Sequence, residues 1–224
     1  MRTYRRWFRK ALILLVLPLV FALYARADGN GDNKETQYRW DIVHISSFNP
    51  VNANQGGFAS ALANNGSKIT VTGHGTFKPQ DPDDVTGGGT WTTFAADGTT
   101  VTGNGTYLVQ RLVRFDSAPG VQTGGLVDNI PGAKGDLTDQ RAGLLFVKIA
   151  YSDGSKGILV VSCHLNGGPD FVARPAAPAS VFEGITASKG YTDYWNRVPP
   201  IVSPAPVDGN RTLFHILSQD EKQD

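Results

Sequence analysis

Val71-Thr72-Gly73-His74-Gly75-Thr76-Phe77, Val85-Thr86-Gly87-Gly88-Gly89-Thr90-Trp91 and Val101-Thr102-Gly103-Asn104-Gly105-Thr106-Tyr107 are three copies of one pattern. Each reads valine, threonine, glycine, any residue, glycine, threonine, aromatic. Successive side chains on an extended strand point to opposite faces. Valine, both glycines and the ring therefore share one face of every copy, and the two threonines and the variable residue share the other. Glycine weakens a strand through its backbone entropy. Its recurrence on the ring-bearing face implies that a ring from one strand fills the space left by the missing side chain on its neighbour.

The turns set the register. Ala96-Asp97-Gly98 separates the second copy from the third. A two-residue Asp-Gly turn places Trp91 opposite Asn104 and mixes the faces. A three-residue loop ending on Gly98 in the left-handed conformation places Trp91 opposite Gly103 and Tyr107 opposite Gly87, and this is the expected register. Asn64-Asn65-Gly66 and Ser152-Asp153-Gly154 repeat the signal. The first joins 57–63 to 68–78 and the second joins 143–151 to 155–165. A three-residue loop in the second hairpin puts Leu145, Val147 and Ile149 on one apolar face with Leu159, Val161 and Cys163.

From Tyr38 to Leu217, β-branched and aromatic runs alternate with Gly, Asn, Asp and Pro clusters, and no amphipathic helix interrupts them. The fold class is all-β: an antiparallel, hairpin-connected β-barrel of about eight or nine strands, because closure removes exposed edges. A two-sheet β-sandwich is the alternative. Residues 38–217 form the single expected domain, with a Pro-rich loop over 199–210 and a charged tail over 218–224.

The N-terminus is a targeting segment. Arg2, Arg5, Arg6, Arg9 and Lys10 precede an apolar run from Ala11 to Ala25, and Ala25-Arg26-Ala27 is a small-x-small cleavage pattern. The run is shorter than the roughly 20 residues that span a bilayer. Residues 1–27 are thus expected to be a signal peptide, and 28–37 a disordered polar leader. The destination is secreted or periplasmic, with no membrane association after cleavage. Removal takes six of the 21 basic residues and none of the 20 acidic ones, leaving 15 against 20, a net −5. That balance excludes nucleic acid as an electrostatic partner. The one cysteine, Cys163, cannot form an internal disulfide, so packing and sheet pairing must hold the domain.

Motifs with chemistry are sparse. Asp28-Gly29-Asn30-Gly31-Asp32 starts like a calcium loop, but Asn33 stands where glycine is needed and Arg39 where a bidentate glutamate is needed. Asp81, Asp83 and Asp84 form an acidic cluster in the expected loop between the first two repeats. His44, His74, His164 and His215 fall on four separate strand candidates without metal spacing. Cys163 and His164 point to opposite faces and cannot act as a nucleophile–base pair. No metal or cofactor is implied, and no nucleophile elbow, phosphate loop or dinucleotide fingerprint is present.

The remaining candidate is Val181 to Arg197, where two tyrosines, a tryptophan and charged groups crowd into one short stretch. Apolar area beside a few polar groups is what a ligand site needs. Glu183, Lys189, Tyr191, Tyr194 and Trp195 are the expected ligand-binding residues, with Glu183 a buried acid or base if it faces inward. The competing expectation is a strand whose rings close one end of the barrel, with Glu183 paired to Lys189 or Arg197.

The repeats, together with Tyr151-Ser152-Asp153-Gly154-Ser155, Phe182-Glu183-Gly184-Ile185 and Asn210-Arg211-Thr212-Leu213-Phe214-His215, resemble a group of small bacterial exported proteins of uncharacterised function. Val85-Thr86-Gly87-Gly88-Gly89 and Phe182-Glu183-Gly184 are similar, more faintly, to the allene oxide cyclase and dirigent type of β-barrel. The second resemblance implies a barrel; neither implies an activity. The functional expectation is an exported barrel that binds a small apolar or aromatic molecule or serves as an interaction module. The alternatives are a small-barrel enzyme of cyclase, isomerase or lyase type using Glu183 as acid or base, and a structural or surface-interaction protein. In the last of these, exposed threonine-rich sheet faces contact glycan or other copies of the chain. Oligomeric state has no signature in the sequence.

Overall fold

The computed structural model describes residues 36–48, 50–118, 126–135, 137–165, 183–200 and 209–217, all within one compact unit, Lys34–Asp224. The expected signal peptide, the leader up to residue 35 and the tail over 218–224 lie outside the described residues.

The described residues form fifteen strands and no helix. In chain order these are β1 (Gln37–Phe48), β2 (Val51–Gln55), β3 (Ala59–Leu62), β4 (Lys68–Val71), β5 (His74–Lys78), β6 (Asp81–Val85), β7 (Gly88–Phe94) and β8 (Val101–Ala118). There follow β9 (Leu126–Asp128), β10 (Gln140–Tyr151), β11 (Lys156–Cys163), β12 (Gly184–Lys189), β13 (Thr192–Tyr194), β14 (Asn196–Arg197) and β15 (Arg211–Leu217). β1 thus begins at Gln37, inside the expected leader. Six strands close an antiparallel barrel: β1 pairs with β5, β5 with β7, β7 with β8, β8 with β10, β10 with β15, and β15 returns to β1. The barrel is as expected. Its closed ring is smaller than eight or nine strands because the remaining segments extend it as side arms or cover it.

The first two copies of the repeat make one long bent hairpin. Val71 lies opposite Trp91, His74 opposite Gly88 and Phe77 opposite Val85. The threonines meet on the outside, with Thr72 and Thr90 hydroxyls 2.8 Å apart and Thr76 and Thr86 hydroxyls also 2.8 Å apart. The glycines let the two backbones touch at the bend. A Cβ on Gly89 would stand 2.0 Å from the Thr72 carbonyl oxygen, a clash no rotamer relieves. Asp81, Asp83 and Asp84, expected in a loop, belong to strand β6; Asp84 pairs with Lys78 and Asp83 lies 3.5 Å from Arg111.

The register of the second and third copies departs from expectation. Trp91 lies opposite Gly105 and Tyr107 opposite Gly89, not Gly103 and Gly87. The connection is a four-residue loop, Ala96 to Thr99, closed by Ala95 N–H to the Thr100 carbonyl at 2.8 Å. Asp97 caps it, accepting from the Thr99 and Thr100 N–H groups at 2.8 Å each. A loop of that length alone would mix the faces. A bulge restores them, because the pairing passes from Phe94–Val101 to Thr93–Gly103 and leaves Thr102 over. The Trp91 ring still lies over Gly103: a Cβ there would meet the indole at 3.2 Å, and one on Gly105 would meet it at 3.1 Å. The ring above Gly87 is Trp40 from β1, at 2.9 Å from such a Cβ. The other two hairpins follow expectation. Ala63 and Tyr151 donate to the Ser67 and Ser155 carbonyls across three-residue loops, and Leu145 faces Val161 while Val147 faces Leu159.

Rings fill the interior. Tyr38, Phe77, Phe115 and Phe214 stack with centroids 4.9 to 6.2 Å apart. Such pairs contribute about 0.5–1.5 kcal/mol each beyond burial. The polar ends are satisfied as well. Trp91 Nε1 donates to the Thr106 carbonyl at 3.0 Å, Tyr107 Oη to Thr72 at 2.7 Å and Tyr151 Oη to Ser188 at 2.9 Å.

Two arms leave the ring. β11, β12 and β13 extend from β10, and β4, β3 and β14 extend from β7. The chain joins them itself: β13 pairs with β12, β14 pairs with β3, and Trp195 alone stands between.

Candidate functional site

β12 carries most of the expected site, and its extension separates the members. Glu183 precedes its first residue and Lys189 is its last, six strand steps or about 20 Å apart. They do not meet.

Glu183 is largely buried and turned toward β15. Its Oε1 accepts from the Thr212 N–H at 3.0 Å and its Oε2 from Arg211 Nη1 at 3.2 Å. Its partner is therefore neither Lys189 nor Arg197. Loss of hydration pushes its carboxyl up to about 7, against the opposing pull of the Arg211 charge and the Thr212 N–H. Cys163 is buried close by, its thiol pushed well up by burial and then by the Glu183 charge, which makes it inert as a nucleophile. Thr212 donates its hydroxyl to the Ser162 carbonyl at 2.5 Å and fastens β15 to β11.

Lys189 is held at the far end. Its Nζ sits 4.1 Å from the Trp91 ring centroid and 5.0 Å from that of Tyr151, and it bonds Asp153 and the Ser155 hydroxyl, the latter at 3.0 Å. Bonds from Lys189 and Ser155 hold the Asp153 carboxyl down at about 2. Tyr194 is buried opposite Ala187, and burial raises its hydroxyl. Lys189 and Tyr194 thus gather around Tyr151 as packing. Tyr191, on the two-residue turn after Gly190, is fully exposed, and Trp195 is 61% exposed.

Two constellations had no sequence signal. Asn210, with φ at +61° and buried, accepts from the Ser60 N–H at 2.7 Å and donates from Nδ2 to the Pro199 carbonyl at 3.1 Å. It clasps β3 to the chain entering β15. Asp128 and His215 form a buried pair, His215 Nε2 to Asp128 Oδ2 at 2.8 Å, with Gln140 Nε2 on the same oxygen at 2.5 Å and the Ile130 N–H on Oδ1 at 3.1 Å. Burial acts to raise the Asp128 carboxyl. The bonds from His215, Gln140 and Ile130 outweigh it and leave the group below its ordinary value. The pair pins β9 to β15. Among the described residues no group of three or more His, Cys, Asp or Glu could hold a metal ion.

Chemically, the molecule thus offers a buried carboxyl poised near neutrality, two sealed polar clamps, and an exposed indole on a strand junction. No protein-family model, curated protein or solved structure matches the chain.

Proposed function

We propose that the protein is an exported, non-catalytic recognition module that binds through its outer surface. The carrying observation is Trp195. It is 61% exposed, yet the residues on both sides of it are tied into separate strand pairings. An exposed indole held rigidly loses little entropy on contact, and tryptophans of this kind dominate recognition surfaces. The ring-filled barrel supports an external site over a ligand held inside. Exposed Leu62, paired with Asn196, adds apolar area next to the indole. The test uses anilinonaphthalene sulfonate as a hydrophobic probe. Saturable energy transfer from tryptophan, lost in Trp195→Ala while the emission of buried Trp40 and Trp91 stays native, supports the proposal. Absence of saturable transfer, or transfer unchanged in the variant, overturns it.

A second role is favoured by one observation, the Glu183 carboxyl raised to about 7, the range suited to general acid–base chemistry. Infrared or NMR titration of that carboxyl tests it, and titration near 4.5 would remove it.

A further inference from the structure

We propose, on the premise that the protein is a recognition module, that its ligand is a neutral, extended oligosaccharide lying across the outer face of β14, β3, β4, β7 and β8, with one sugar ring stacked on Trp195.

These five strands lie side by side in that order. Pairing aligns their outward side chains into rows that run across the strands. One row passes through Thr70, Thr92 and Asn104. The next passes through Thr72, Thr90 and Thr106. Thr90, Asn104 and Thr106 are exposed, and Thr70, Thr72 and Thr92 are partly so. The rows lead toward the strand that begins at Asn196, directly after Trp195. Asn196 and Asn64 side chains meet there at 3.4 Å, both open to solvent.

The chemistry of this face selects its occupant. Hydroxyl and carboxamide groups donate and accept alike, as sugar hydroxyls do, so either orientation of a sugar hydroxyl finds a partner. An exposed indole supplies an apolar plane for the C–H face of a pyranose, with amides alongside for its rim. Neither row contains a charged residue. The neighbouring cation, Lys68, is turned onto the Phe94 ring at 4.3 Å and the Gly98 carbonyl at 3.0 Å. A phosphate or sulfate polymer would find no unneutralised charge in these rows, whereas a neutral glycan requires none. Four inter-strand steps of about 4.8 Å make a track of roughly 19 Å, long enough for a few sugar units and excessive for a monosaccharide.

The experiment is calorimetric titration of the protein with cellohexaose, with N-acetylchitohexaose and with a sulfated hexasaccharide. Saturable binding of a neutral hexasaccharide is expected. Trp195→Ala should weaken it by about tenfold or more, and Asn104→Ala by about fivefold. Asn104 lies at the far end of the track, so its substitution should weaken the hexasaccharide while leaving the weaker binding of the corresponding disaccharide unchanged. Tighter binding of the sulfated sugar, or equal affinity in Trp195→Ala, overturns the assignment. Saturable anilinonaphthalene sulfonate transfer from Trp195 without binding of either neutral hexasaccharide would leave recognition at Trp195 standing and refute the glycan. Failure of both would refute both.

Discussion

Replacing Glu183 by glutamine should remove a pH dependence from folding stability. The folded carboxyl is raised to about 7 from an ordinary 4.5 because burial costs the charged form more than Arg211 and the Thr212 N–H return. Below 4.5 both folded and unfolded chains hold the proton, and the group contributes no penalty. Between 4.5 and 7 the unfolded chain ionises while the folded one does not, so stability falls as pH rises; above 7 the loss is complete. At 1.36 kcal/mol per pH unit the total is about 3 kcal/mol. Glutamine cannot ionise, and its amide oxygen can still accept from Thr212. The assay is urea unfolding followed by tryptophan emission at several pH values from 4.5 to 8.5, on the protein and on Glu183→Gln. Other titrating groups are common to both, so the difference isolates residue 183. The variant should gain about 3 kcal/mol relative to the parent between the two ends of that range. Parallel curves would show that Arg211 offsets burial fully, and the reasoning would fail. A difference of opposite sign would mean that attraction to Arg211 outweighs the loss of hydration.

Gly89→Ala should destabilise by more than about 3 kcal/mol or prevent folding, since its Cβ meets the Thr72 carbonyl at 2.0 Å; thermal unfolding within about 3 °C of the parent would contradict this. Asn210→Ala should cost about 2–4 kcal/mol, from two lost bonds and a left-handed backbone that alanine resists. Asn210→Gly keeps the backbone freedom and should recover part of that, as denaturant midpoints would show. Asp128 has a lowered carboxyl, so its stabilisation is present above about 3.8 and lost as pH falls through its folded value. Asp128→Asn should therefore be markedly less stable at pH 7 and converge on the parent near pH 2–3. Amide hydrogen exchange over β9 should quicken in the variant at neutral pH, and unchanged protection would refute the clamp.

Short-range features were legible because their cause is local. Gly66 and Gly154 adopt φ of +83° and +86°, as expected of glycine closing a three-residue loop. Alternation along the repeats sorted Val71, Phe77, Trp91 and Tyr107 inward without any knowledge of pairing. The loop at Ala95–Thr100 defeated the same logic, since two compensating irregularities keep the faces apart as well as one regular loop does. A bulge at Thr102 has no composition of its own. The site was less legible still. Lys189 and Tyr194 drew attention by aromatic density, which served packing around Tyr151. Glu183 stood out, but Arg211 lies 28 positions away and reaches it only because β15 and β11 are fastened side by side. His215 and Asp128, 87 positions apart, meet because β9 is laid over β15 by its parallel pairing with β2.

The amino-acid sequence by itself determined that the chain is all-β, which side chains share a face, and where two of its tight turns close. Those properties follow from backbone geometry within a few residues. Tertiary structure alone decided the register of the third repeat, the six-strand closure, the partners of Glu183, Asp128 and Asn210, and the exposure of Trp195. Each depends on which distant strand lies alongside, a choice made by the packing free energy of the whole barrel and not by any local preference.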